Sequence, residues 1–266
     1  MSRIYAFLSL FITVTAFAVE PAVNNVVQLA PGAPQFVIAA AGNLQGGNGT
    51  YFRSDITVIN FASHAQTVQF QWLPQAGGTP ITHSTTINSL SAINSEDFVG
   101  QVIGAQGLGA LVVTGLTSSG TLDPTAVLYA TSRIWTPQPG TTGTTSQSLN
   151  IVTSVPSAMQ MAVFGLRRDS RYRANVGIVN LDTAAAHTFL VDLPCNLGAP
   201  VFEQYTVTLA PATTAQVALT GGCSVTPQVN IYSRDATPGP WLAYGSSVDN
   251  VTGDAWTELA LPGRTP

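Results

Sequence analysis

Lysine is absent from the chain, and charge of either sign is scarce. Nine arginines and thirteen acidic residues make up 8% of 266 positions, about a third of the share in an average globular protein. That scarcity excludes the Lys/Glu-rich faces of a cytoplasmic helical enzyme. Ser, Thr, Asn, Gln and Gly carry the polar surface instead, which suits a β-sheet protein outside the cell. Cysteine is nearly absent too. Cys195 and Cys223 are the whole complement, and no histidine lies near either in sequence, so a metal site built on them is not expected. An even count in an exported protein reads as a disulfide. Closing that 29-residue loop would stabilise the chain by about 3–4 kcal/mol in the chain-entropy model. Two buried free thiols are the alternative.

Long apolar runs are missing except at the N-terminus. Arg3 is followed by the apolar stretch Ile4–Thr15, and Ala16-Phe17-Ala18 supplies a small-x-small cleavage signal. This is the layout of a secretory signal peptide, expected to be cut after Ala18. The run is shorter than the ~20 residues a membrane span needs, so no membrane insertion is expected after cleavage. Loss of Arg3 leaves eight arginines against thirteen acids, a net charge of −5. That disfavours nucleic acid as a partner. The expected location is secreted or cell-surface associated, with the periplasm as an alternative. The closing LPGRTP is an incomplete sortase-type signal, and a covalent wall anchor is not expected.

Catalytic signatures are lacking as well. His64, His83 and His187 stand in no metal-ligating spacing and read as solvated turn or strand-end residues. No G-x-S-x-G elbow occurs. Glu96 and Asp97 are the one adjacent acidic pair, and neighbours on a strand point to opposite faces. Nothing favours a pair of carboxyls at the 5–9.5 Å separation of a glycosidase, roughly speaking. No catalytic residue is assigned, no cofactor is expected, and an enzyme is not expected.

What the chain does contain is a repeat. "FRSDITVINFASHAQTVQFQWLP" (52–74) aligns without a gap on "YRANVGIVNLDTAAAHTFLVDLP" (172–194), at an offset of 120. Arg53 falls on Arg173, Asn60 on Asn180, and Asp55 on Asn175. A repeat of this length is domain-sized, too long for a solenoid unit. Ile56 and Val58, like Val176 and Ile178, alternate with polar residues at the period of a half-buried strand. "NFASHA" and "NLDTAA" are the turns. The expected fold is all-β: two tandem immunoglobulin-like antiparallel β-sandwich domains after a cleaved signal peptide. The boundaries are 1–18 for the signal, 19–155 for the first domain with its C-terminal Pro/Gly/Thr loop (137–148), and 156–266 for the second. "RRDSRYR" (167–173) concentrates four of the nine arginines. It reads as an interdomain joint, with Arg53 reaching Asp55 along its strand and Arg173 reaching Asn175, and a small anion-binding patch is the alternative.

These phrases resemble the tandem β-sandwich repeats of uncharacterised secreted bacterial proteins. The resemblance rests on the two opening strands (52–60 and 172–180), on "SRIWTPQPGTTGTTSQSLNIV" (132–152) and on "SSVDNVTGDAW" (246–256). It implies an extracellular immunoglobulin-like module and brings no activity with it.

Candidate ligand-binding residues are the rings Trp135, Trp241 and Tyr244, with Trp256 beside them, since an exposed ring offers an apolar face to a sugar. Trp241, after "TPGP", is the ring expected to be most exposed, whereas Trp72 belongs to the core. Asp249, Asn250 and Asp254 surround a glycine and carry oxygens of the kind Ca²⁺ takes, although the same residues mark an ordinary hairpin turn. The function expected from all this is a secreted, non-enzymatic structural or adhesive module of the cell surface or extracellular matrix. Its partner would be an extracellular protein or a polysaccharide. A carbohydrate-binding module is the alternative, and a hydrolase with an unrecognised site is third.

Overall fold

Alternation with a period of two runs through both copies, and the computed structural model turns it into eighteen strands among the residues it describes. It describes residues 32–75, 77–138, 140–194, 202–221 and 225–263. The expected signal peptide and both cysteines lie outside the described residues. The first half comprises β1 (Gln35–Gln45), β2 (Tyr51–Asn60), β3 (Gln66–Pro74), β4 (Ile81–Ile87), β5 (Ser91–Ser95), β6 (Gly107–Leu116), β7 (Leu128–Pro137), β8 (Thr144–Leu149) and β9 (Ile151–Val152). The second comprises β10 (Gln160–Arg167), β11 (Tyr172–Asn180), β12 (His187–Pro194), β13 (Phe202–Leu209), β14 (Thr213–Ala218), β15 (Val225–Ser233), β16 (Trp241–Asp249), β17 (Ala255–Leu259) and β18 (Leu261–Pro262). Part of the expected Pro/Gly/Thr loop is thus strand β8, paired along β7. β-branched and small polar residues fit such a pleated edge.

Strand for strand, the halves match. The second half has one sheet ordered β13-β12-β15-β10-β18 and another ordered β14-β11-β16-β17, and every pairing is antiparallel. The same pairs recur in the first half: β4-β3-β6-β1-β9 and β5-β2-β7-β8. Here they merge into one sheet, because β1 is longer and its end also pairs with β2. A bulge between Ile38 and Ala41 bends β1 from one layer towards the other, as an extra residue in one strand does. Ala39, Ala40 and Ala41 keep that bend small enough to bury. The pairs β2–β5 and β3–β6 correspond to B–E and C–F of an immunoglobulin sandwich. The outer places differ: the first strand, β1, lies beside β6, and β7 lies beside β2.

Each layer pair closes on an apolar core. In the second half Val176 and Ile178 of β11 face Phe189 and Val191 of β12 and Val229 and Ile231 of β15. The halves also share a core. Val179, Ala212, Leu242 and Tyr244 of the second half belong to the cluster built on Phe36, Ile56, Phe70 and Leu111 of the first. Strand β16 is accordingly buried at all nine positions. One of its faces looks into its own sandwich and the other onto the first half. Residues 31–266 form one compact unit.

Asn60 and Asn180 show what the repeat preserves. Both side chains are fully buried. The amide of Asn60 donates to the carbonyls of His64, Ile87 and Asn88, and its oxygen accepts from Ala62 N–H. Asn180 does the same with Ala185, Leu209, Ala210 and Asp182 N–H. Each ties the turn after β2 or β11 to the end of β4 or β13. Just beyond, Leu90 and Ala212 both adopt a left-handed backbone, with φ of 50° and 51°. Their N–H groups bond the carbonyls of Ala62 and Asp182. A residue without glycine's freedom holds such a φ where its surroundings dictate it, and here the same corner dictates it twice.

Candidate functional site

The outward face of β5-β2-β7-β8 is open in the first half. Arg53 and Arg133 project from it, but the expected Arg53–Asp55 contact is not made. Asp55 lies directly opposite Arg133 across the β2–β7 pair and accepts from its Nε at 2.8 Å. Cross-strand neighbours sit closer than residues two apart on one strand. Arg53 instead stacks between two rings, 4.7 Å from the Tyr51 centroid and 5.5 Å from that of Trp135. Its Nε stands 3.9 Å from the Asp97 carboxylate. Trp135 is half-buried, and its indole N–H donates to the Glu96 carbonyl at 2.8 Å. The arginine therefore covers part of the ring that a sugar would need.

Trp241 and Tyr244 are not exposed. Trp241 is 1% exposed. Its N–H donates to the Ala158 carbonyl at 2.7 Å, and its ring packs 4.9 Å from Phe189. Tyr244, 2% exposed, looks the other way, onto the first half. Its phenol lies beside the Gln216 amide, and burial drives its pKa well above the usual phenol range. Two neighbouring apolar runs on one strand meant two buried faces, not a loop-borne platform. Trp256 packs edge-on against Tyr172, 5.6 Å between centroids.

Asp249, Asn250 and Asp254 build a turn in which the side-chain oxygens of Asp249 and the Oδ1 of Asn250 are already engaged. Asp249 Oδ1 accepts from the N–H groups of Val251 and Thr252, and Oδ2 accepts from Arg171 at 2.8 Å. The Val251 N–H foremost, then that of Thr252 and the arginine, hold its pKa below the usual carboxylate value against the cost of burial. Asn250 Oδ1 accepts from Arg173 at 3.0 Å. Asp254 contributes backbone bonds, its carbonyl to Asp249 N–H and its N–H to the Thr252 hydroxyl. Among the described residues no cluster of three or more His, Cys, Asp or Glu has the arrangement of a metal site.

The arginine stretch is the β10–β11 turn, inside the second half and not at the join between halves. Arg167 pairs with Asp169 at 2.8 Å and lies over the Tyr172 ring. Arg168 is buried and bidentate on Glu203 of β13, at 2.8 and 3.0 Å. That hydrogen bonding raises its pKa above the ordinary guanidinium value. Arg173 alone of the four faces the first half, across a cavity of about 250 Å³ between the halves.

His187 is also unlike its expected solvated state, being 6% exposed. Its Nδ1 is 2.9 Å from Asp235 and its Nε2 3.1 Å from Asp182. A Cβ on Gly239 would come within 2.5 Å of that Nε2, so glycine is what lets the loop close over the imidazole. Burial pulls the His187 pKa down, but the two carboxylates outweigh it and the net shift is upward.

One feature escaped the motif-based reading because it carries no reactive group. Among the described residues β4, "ITHSTTI", pairs only with β3 and is exposed at five of its seven positions. It has no Asp, Glu, Lys, Arg or Pro, the residues that usually blunt a sheet edge. Its counterpart β13 carries Glu203. Among the described residues no helix is long and apolar enough to cross a membrane. No protein-family model matches the chain, and no curated protein matches it.

Proposed function

We propose that the protein is a structural or adhesive module of the cell surface or extracellular matrix, working through an open sheet edge instead of through chemistry. The observation that carries this reading is β4: a seven-residue edge, uncharged and unbroken, on a rigid double sandwich. Such an edge presents a row of backbone N–H and C=O groups ready to accept one more strand. The occupant that fits best is β4 of a second copy, paired antiparallel about a two-fold axis, since an uncharged edge opposes nothing to its own image. Seven residues give a contact about 23 Å long at the rise of an extended strand. The signal-like N-terminus and the charge-poor composition support an extracellular setting.

Thr82 and Ser84 are exposed and alternate with Ile81, His83 and Thr85, which share a face with the buried Ile87. Lysines at both positions would line the edge with like charge while leaving the core untouched. Sedimentation velocity on residues 19–266 over a hundredfold range of concentration should show a monomer–dimer equilibrium. The Thr82→Lys/Ser84→Lys variant should remain monomeric with an unchanged circular dichroism spectrum. A wild type that is monomeric throughout, or a dimer that survives both lysines, sinks the reading.

A further inference from the structure

The two halves treat one arginine differently. In the first half Arg53 has Asp97 within reach and Asp55 two residues on, the latter held by Arg133. Superposing the strand registers puts Arg173 in place of Arg53, Asn175 in place of Asp55 and Ser246 in place of Arg133. Continuing the β5 and β14 registers past their last pairs puts Leu219 in place of Asp97. Both acids are gone and one arginine is gone, yet Arg173 stays. This is the face that the second half buries against the first, where Tyr129, Thr131 and Trp135 have become Leu242, Tyr244 and Val248. A face otherwise converted to burial has kept a cation.

No carboxylate among the described residues pairs with Arg173. Its guanidinium donates to the Asn250 amide oxygen, and burial alone pulls its pKa below the guanidinium norm. A half-buried cation without a counter-charge is costly. Asp249 lines the small hollow next to it, but both its oxygens are engaged by the turn and Arg171. On its other side Arg173 borders the 250 Å³ cavity. Leu44, Phe52, Leu108, Ile134 and Leu149 supply that cavity's apolar lining. Val248 lies opposite Arg173, Ser246 opposite Asn175, and Gln216 and Tyr244 four residues further along β11. Gln45 and Gly47, both exposed, stand at its mouth.

We propose that this cavity binds a small organic carboxylate, its anionic end on Arg173 and its hydrocarbon body against the leucine, isoleucine and phenylalanine wall. A guanidinium recognises a carboxylate through two parallel hydrogen bonds. A dry cavity of about 150 Å³ already holds benzene, so the volume here accommodates a body of roughly six to ten carbons. The site is independent of the β4 edge and lies between the halves, so a bound molecule touches both.

Isothermal titration of residues 19–266 with octanoate and 3-phenylpropionate tests the proposal, with 1-octanol and 3-phenylpropanol as the matched neutral probes. The carboxylates should bind, and each alcohol at least about ten-fold more weakly, the value of one charged hydrogen-bonded contact. Arg173→Gln should weaken carboxylate binding by a similar factor. It should also leave the ligand-free melting temperature equal or higher, because it removes an uncompensated cation; a merely structural arginine would lower it. Leu108→Phe, which fills the wall and keeps the charge, should abolish binding and serves if Arg173→Gln does not fold. The proposal is overturned if neither carboxylate binds below about 10 mM, if the alcohols bind equally well, or if both variants bind like the wild type.

Discussion

Asn60, Asn180 and His187 are buried polar side chains held by several partners each, and their roles differ by what those partners are. Asn60 and Asn180 bond only backbone, so they define a corner and do not respond to pH. His187 bonds two carboxylates and does respond. Its folded pKa lies above the ordinary 6.5, so the stability it contributes is fully present below that value and is lost as pH rises through the folded pKa. Asp182 runs the opposite way. The Ala184 N–H above all, with His187 and the Ala185 N–H, holds its pKa below the usual 3.8, so its contribution is present above that value and lost as pH falls. The clamp is therefore strongest on the acid side of neutrality, between the two values. Melting temperature measured from pH 5 to pH 8 should fall across the upper part of that range in the wild type, and His187→Gln should remove that part of the slope. Parallel profiles for the two proteins would show that the imidazole does not charge inside the clamp.

Individual strands here are specified by how many of their faces are covered. β7 and β16 occupy the same place, yet position 131 is an exposed threonine and position 244 a buried tyrosine. Tyr244→Ala should cost about 3–5 kcal/mol, as for a large buried ring lost from a packed site, whereas Thr131→Ala should stay within about 0.5 kcal/mol. Urea unfolding of both variants measures the contrast, and equal effects would mean that the outer face of β16 is not packed. The same contrast explains which elements are legible in the sequence. A one-sided strand such as β2 announces itself by alternation, and the ungapped repeat carries β11 and the corner asparagines with it. β16 is covered on both sides, so "WLAYGSSVD" has no period, and Trp241 beside its Pro/Gly loop looked exposed. The Arg133–Asp55 pair was hidden for another reason: cross-strand register depends on partners 78 residues apart. β4 left no mark at all, because an open edge is defined by a missing neighbour.

At the level of the whole molecule, duplication has produced a dependence between the halves. Either sandwich has the strands to fold alone, but the β14-β11-β16-β17 layer would then expose Val179, Leu242, Tyr244 and Val248 on its outer face. An apolar patch of that kind on a monomer is an association site or a liability. In the intact chain those side chains lie against the first half, three of them within its core cluster. Gln147 of β8 adds polar ties, accepting from the hydroxyls of Ser246 and Thr257. A parallel bridge joins Gln75 to Thr214. A shared core makes the loss of one half costly to the other, so the chain should unfold in one step. Trp72 and Trp135 report on the first half, Trp241 and Trp256 on the second. Phenylalanine substitution of either pair should give fluorescence midpoints in urea that coincide with each other and with far-ultraviolet circular dichroism, the signature of a cooperative unit. The chain from residue 156 onward, expressed alone, should be aggregation-prone, and Leu242→Thr with Val248→Thr should restore its solubility. Two separated midpoints, or a soluble and stable second half without those changes, would mean that the interface is a contact between independent domains and that β16 is buried on its second side without stabilising either.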